Sequence, residues 1–157
     1  MAKIALIKPN TQNQAAPHLG LGYLSSYAKK NGHDALIIDG QRDLLNSGQI
    51  LEIIQKNDIS IAGITCLSGY YNEVVTLSRY LKSNGIKIVI GGVHPTFMPY
   101  QTLLDSSADY VICGEGEVAL SELLDNDFNN IPPPPPVFRR SAPYTKCKSY
   151  PGSVFVN

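Results

Sequence analysis

The chain has 157 residues, with thirteen basic and thirteen acidic side chains that cancel. That length buries a sizeable core, and the charge balance leaves no basic surplus to draw nucleic acid or an anionic membrane. No apolar run approaches the ~20 residues that cross a bilayer, and Met1-Ala2-Lys3 leads straight into a strand-like run rather than a signal peptide. The three cysteines, Cys66, Cys113 and Cys147, are odd in number and lack metal-ligand or redox spacing. The expectation is a reduced, cytoplasmic protein without disulfides, in which Cys66 and Cys113 act as small buried apolar residues.

In chain order, Lys3 to Lys8 (KIALIK) reads as a first strand, followed by a polar loop from Pro9 to Pro17. Pro17 favours a first helical turn. Leu21, Leu24, Tyr27 and Ala28 then share one helix face, and Asn31-Gly32 supplies a left-handed stop. Asp34 to Asp39 is a second strand. A short helix carries Ile50, Ile53 and Ile54, with Ser47 as its cap. Ile59 to Thr65 is a third strand, and Asn72 to Ser83 a helix closed by Asn84-Gly85. Ile86 to Ile90 is almost wholly apolar and β-branched, as suits a strand buried on both faces, and it runs directly into Gly91-Gly92. A helix around Tyr100 to Ser106, a strand Asp109 to Cys113 and a helix Val118 to Asp125 complete five βα units. His33 reads as an exposed loop residue, and Asp39 as a turn residue.

Regular alternation demands right-handed crossovers and a parallel sheet with helices on both faces. Five strands favour a three-layer, flavodoxin-like (Rossmann-like) α/β fold with strand order 2-1-3-4-5. After Asn129 the composition changes to a proline-rich segment containing Pro132 to Pro136, a stiff extended linker. Val154-Phe155-Val156 resembles the start of a further strand.

In a parallel sheet the loops after strands one, three, four and five share one rim. That rim carries Asn10 to Leu19, then Thr65-Cys66-Leu67-Ser68-Gly69, Gly91-Gly92-Val93-His94 and Gly114-Glu115-Gly116-Glu117. Small residues and hydroxyls dominate it, which suits a large flat cofactor with amide side arms and a phosphate. A phosphoacceptor receiver fits poorly, because Pro9-Asn10, Thr65 and Gly114 stand where its acids and lysine belong. A flavodoxin loop would want a glycine near Asn10 to Asn13, and no G-x-G-x-x-G follows the first strand to hold a dinucleotide.

The ordered set Pro17-His18-Leu19-Gly20-Leu21-Gly22-Tyr23-Leu24, Asp39, Gly63-Ile64-Thr65, the Leu81-Lys82 helix end, Gly91-Gly92-Val93-His94-Pro95-Thr96 and Asp109-Tyr110-Val111-Ile112-Cys113-Gly114-Glu115-Gly116-Glu117 resembles a known family. It is similar to the N-terminal cobalamin-binding domain of radical S-adenosylmethionine (radical SAM) enzymes, the group of corrinoid-dependent methylases and anaerobic magnesium-protoporphyrin monomethyl ester cyclase. The resemblance implies that residues 1–128 bind base-off cobalamin at the carboxyl ends of the strands. It implies that residues 129–157 lead to a radical SAM barrel in cis, and that the [4Fe–4S] cluster and S-adenosylmethionine belong to that absent part. A fragment without the C-x-x-x-C-x-x-C cluster motif is then inactive alone, with no catalytic residue and no metal ligand of its own. Nucleic acid and membrane are not expected partners.

The cofactor-binding residues so implied are Pro17, His18, Leu19, Gly20, Thr65, Leu67, Ser68, Gly69, Gly91, Gly92, Val93, His94, Gly114, Glu115, Gly116 and Glu117. Corrinoid domains with an axial histidine carry D-x-H-x-x-G. Here His18 takes the histidine place while Ala16 and Leu21 occupy the Asp and Gly places, so the imidazole lacks a carboxylate to orient it. Thr65-Cys66-Leu67 matches that family's S-x-L. Three bland roles stand beside these: Thr65 as a strand-end cap, His94 as a backbone-bonding residue, and Glu115 and Glu117 as acids stabilising a helix N-terminus. The competing reading is a structural or substrate-recognition module of a radical SAM enzyme that binds no cobalamin. A free-standing flavin protein is the third.

Overall fold

The computed structural model describes residues 1–11, 18–126 and 153–156, the last four as backbone. Five parallel strands form the sheet: β1 (Lys3–Lys8), β2 (Asp34–Asp39), β3 (Ile61–Thr65), β4 (Lys87–Gly91) and β5 (Tyr110–Cys113). Their order is β2-β1-β3-β4-β5, as the alternation predicts. A sixth strand, β6 (Ser153–Val156), pairs antiparallel with β5, from Cys113↔Ser153 to Tyr110↔Val156. The sequence signals a strand there but not its place in this sheet. The expectations for Pro17, Cys147 and the proline run lie outside the described residues.

Helices cover both faces: α1 (Leu19–Lys30), α2 (Ser47–Lys56), α3 (Tyr71–Ser83), α4 (Val93–Phe97), α5 (Pro99–Asp105) and α6 (Glu117–Asp125). Alternation along the strands sorts the core into two layers. Ile4 and Leu6 of β1, Val89 of β4 and Ile112 of β5 pack with Leu21, Ala28, Leu120 and Leu123 of α1 and α6. Ala5, Ile7, Ile88 and Ile90 pack instead with Ile50 and Ile54 of α2, Val74, Leu77 and Leu81 of α3, and Leu103 of α5. Each fully buried Ile or Leu contributes about 1.5–3 kcal/mol, so burial on both faces explains why these strands read as continuous apolar runs.

Local signals set the helix ends. Gly32 and Gly85 follow α1 and α3 with φ of 84° and 81°, the left-handed stops expected from Asn-Gly. Asn46, not Ser47, caps α2: its side chain accepts from the Gln49 N–H while Gln49 reaches back to the Asn46 N–H. The amide reaches one residue further than the sequence reading allowed, and the reciprocal pair satisfies two orphan donors. β3 begins two residues after the expected Ile59, whose N–H is drawn back to the Ile54 carbonyl closing α2. α4 is an added short helix, separated from α5 by Met98, with Pro99 opening α5.

His33 departs from expectation. It is 8% exposed, accepts from the Ala2 N–H at 3.4 Å through Nδ1, and lies 3.1 Å from Asp125 Oδ1 through Nε2. It staples the starts of β1 and β2 to the end of α6. The pairing spans 92 residues, so no local pattern announces it.

Candidate functional site

The order of the sheet reverses between β1 and β3, where connections leave to opposite sides and a crevice opens at the carboxyl ends. Two cavities flank this edge. On the α1/α6 face lies a narrow apolar slot of about 160 Å³, and on the α2/α3 face a larger cavity of mixed polar and apolar lining, about 890 Å³. His18 lines both and stands between them.

The slot is lined by glycines and apolar side chains. Leu6, Val89 and Ile112 form its floor, with Leu21, Leu24 and Leu120 opposite. Gly63 and Gly91 fall on the same face of neighbouring strands, in register one step apart from the Gly63↔Val89 and Thr65↔Gly91 pairs. A Cβ on Gly91 would rest in ordinary contact with Ile112, 3.8 Å from its carbonyl oxygen, so a small side chain would fit there without a clash. Gly116 lets Leu24 approach, since a Cβ there would lie 3.3 Å from Leu24 Cδ2.

The rim loops are stitched together by backbone. The Cys66 N–H donates to the Gly91 carbonyl at 2.8 Å, and the His94 N–H to the Cys66 carbonyl at 3.1 Å. Gly92 sits at φ 112°, and a Cβ would lie 2.7 Å from Cys66 O, so only glycine permits this crossing. Thr96 Oγ1 donates to the Gly92 carbonyl at 2.7 Å and accepts from the Gly114 N–H at 2.9 Å, joining the β4 and β5 turns. Cys66 and Cys113 are buried as expected, and burial pushes the Cys66 thiol up to about 12.

His18 caps α1. Its Nδ1 accepts from the Leu21 N–H at 3.3 Å, which leaves the ring proton on Nε2, 3.1 Å from Thr65 Oγ1. Burial and the nearby Lys8 ammonium hold the imidazole below its ordinary pKa, so the neutral form persists. A Cβ on Gly20 would approach the ring to 3.1 Å, so that glycine makes room for the histidine. Burial raises the pKa of the nearby Tyr70 phenol.

Of the residues expected at the site, His18, Gly20, Thr65, Gly91, Gly92, Gly114, Glu115, Gly116 and Glu117 converge on the slot, while Leu67 and Gly69 line the larger cavity. Leu19, Ser68, Val93 and His94 line neither. Leu19 and Val93 point outward, at 75% and 55% exposure. His94 Nδ1 lies 3.0 Å from Ser68 Oγ, and its ring packs on Tyr71 at 4.2 Å between centroids. Its Nε2 is buried with no hydrogen-bond partner among the described residues, and burial lowers its pKa. Sequence reasoning did not pick out the slot's apolar lining, Leu6, Leu24, Val89, Ile112 and Leu120, or Gly63 as a site residue. The period-2 placement of Gly63 and Gly91 on one face was the available signal. Among the described residues no cluster of His, Cys, Asp and Glu could hold a metal ion, and no helix is long and apolar enough to cross a membrane.

Residues 11–124 match the family model described as the B12 binding domain. The chain belongs to the B12-binding domain family. The match takes in most of the residues that line the two cavities, Leu6 of the slot and Lys8, Pro9 and Asn10 of the larger cavity lying before it. This B12-binding domain is 35% identical over 133 residues to an uncharacterized methyltransferase, PH0819, of Pyrococcus horikoshii, covering 78% of this chain and 29% of that protein. It is 30% identical over 132 residues to the anaerobic magnesium-protoporphyrin IX monomethyl ester cyclase of Rubrivivax gelatinosus, covering 78% of this chain and 24% of the cyclase. The chain thus spans under a third of the length of these relatives. Its fold matches that in the radical S-adenosylmethionine methyltransferase TsrM of Kitasatospora setae, solved with cobalamin and a [4Fe-4S] cluster bound, at TM-score 0.70 and 18% identity, covering 80% of this chain and 24% of that one. It also matches OxsB, a cobalamin-dependent radical enzyme solved with aqua-cobalamin and S-adenosylmethionine, at TM-score 0.69 and 21% identity over 84% of this chain and 19% of that one.

Proposed function

We propose that this B12-binding domain holds cobalamin base-off at the carboxyl ends of β3, β4 and β5 and presents it to a radical SAM domain in the same polypeptide. The observation that carries the reading is the slot. A flat aromatic group needs an apolar cleft, and one opens on the face lined by Gly63 and Gly91, with Gly116 and Leu24 also in its wall. The nucleotide tail of the cofactor is the part with that shape. Asn10, Thr11 and Asn72 in the larger cavity suit the amide side arms of the corrin.

No protein imidazole serves as an axial ligand in this reading. The lone pair of His18 Nδ1 is taken by Leu21 N–H and its Nε2 proton faces Thr65, so neither nitrogen is available to a metal. His94 lines neither cavity. The role of this chain's residues is to bind and orient, and the chemistry a bound corrinoid supplies is methyl-group carriage. The names of the two relatives support a parent that is a methyltransferase or a cyclase. Residues 129–157 then act as the tether to the cluster-bearing domain, and residues 1–128 turn nothing over alone.

The test is spectroscopic. The purified chain is mixed with hydroxocobalamin and desalted. The expected result is a retained corrinoid absorption at one equivalent per chain. A colourless chain would favour a purely structural module instead, and retention of flavin but not corrinoid would favour a flavin protein.

A further inference from the structure

Lys8 is the last residue of β1, is only 5% exposed, and lines the larger cavity. Its ammonium acts on His18 closely enough to help hold that imidazole neutral. Among the described residues it is the one lysine or arginine in the lining of either cavity. Asp39, its register partner on β2, lines neither cavity and accepts from the Arg42 N–H at 3.0 Å. The carboxylates of the linings stand elsewhere: Glu73 in the first turn of α3, and Glu115 and Glu117 after β5. β3 and β4 lie between β1 and β5. At about 4.8 Å per neighbouring strand, roughly 14 Å separates the two strands. The rim is thus cationic at β1 and anionic at β5.

A cobalamin with its base in the slot and its corrin arms over the larger cavity threads between the two, where His18 stands. The part that threads is the aminopropanol, phosphate and ribose arm, and its phosphodiester carries a fixed negative charge. Resting on the reading above, we infer that Lys8 is the counter-ion of this phosphodiester and sets the direction in which the nucleotide arm crosses the rim. A lysine head is a compact point charge with three donors, suited to a phosphate oxygen. Lys8 is already buried in the free chain, so its desolvation is met on folding and little is added on binding. The opposite placement would set the phosphate beside Glu115 and Glu117, like charge against like.

Cobinamide and cobinamide phosphate isolate the interaction, because they share the corrin and the aminopropanol arm and differ only in the phosphate. Absorbance titration of the purified chain should show cobinamide phosphate binding about tenfold more tightly than cobinamide. Lys8→Met keeps the length of the side chain and removes its charge. It should shrink that preference to about twofold or less, leave cobinamide itself within about twofold, and weaken cobalamin about tenfold. Lys8→Gln, which keeps a hydrogen-bonding head without the charge, is the second variant should the apolar one fail to fold, with a circular-dichroism melt as the check. Equal affinity of the natural sequence for the two cobinamides overturns the assignment, as does a preference that persists without the Lys8 charge. Either result leaves the B12-binding reading intact where cobalamin binds. Failure of cobalamin itself to bind overturns both.

Discussion

The imidazole Nε2 of His18 lies 3.1 Å from the hydroxyl of Thr65, across the point where the sheet changes direction. One end of this bridge is the cap of α1, and the other is the last residue of β3. Cap and bridge are separable by substitution. His18→Asn keeps a side chain able to cap but cannot span to Thr65, and should cost about 1 kcal/mol. His18→Ala loses the cap as well, for about 1 kcal/mol more. Urea denaturation of the two variants and of Thr65→Val checks the order, with His18→Ala least stable.

The same bonding has a spectroscopic consequence. With both ring nitrogens of His18 engaged, reduced, cobalt(II) cobalamin bound to the chain should show no nitrogen superhyperfine splitting by electron paramagnetic resonance. His18→Asn should leave that spectrum unchanged. A splitting that disappears on the substitution would make His18 a ligand.

Acid should weaken the domain through two half-buried histidines, His18 and His94. His18 and His94 are both held below the ordinary value of 6.5, first by burial, with Lys8 adding to the effect at His18 and the carboxylates Asp39 and Asp105 opposing it at His18 and His94 respectively. The unfolded chain therefore takes up these protons first as pH falls. The stabilising effect of the neutral rings is whole above 6.5 and declines as pH drops through that value toward the folded pKa values. Urea midpoints at pH 7.5 and 5.5 should differ for the natural sequence, and differ less for a His18→Asn, His94→Asn double variant.

Gly92 and Gly69 make a matched pair. A Cβ on Gly92 meets the Cys66 carbonyl at 2.7 Å and the backbone there has φ 112°, whereas a Cβ on Gly69 meets nothing within 4 Å. Gly92→Ala should cost about 1–3 kcal/mol from backbone strain, with the clash adding to it. Gly69→Ala should be near neutral. Thermal melts of the two separate a rim that requires glycine for its crossing from one that merely tolerates it.

The architecture was legible because it is written in long-wavelength patterns: five apolar runs alternating with amphipathic helices, punctuated by Asn31-Gly32 and Asn84-Gly85. The slot was half legible. Gly91 and Gly92 announced a cavity, and both line the slot beside the parallel strands. Two things were not legible. The roles of His18 and His33 depend on partners 47 and 92 residues away, which periodicity does not report. His94 adjoins the paired glycines in sequence, yet α4 turns its ring onto Tyr71 and Ser68, away from both cavities.

The central claim is that the corrinoid sits at the carboxyl ends of β3, β4 and β5 with its tail beside Gly63 and Gly91. A ¹H–¹⁵N correlation spectrum titrated with hydroxocobalamin reads this residue by residue. The expected result is that the amides of Gly63, Thr65, Gly91, Gly92 and Gly116 shift while those of Lys3, Asp34, Ile61 and Lys87, at the opposite ends of the strands, stay in place. Shifts confined to that opposite end, or none at all, would contradict it.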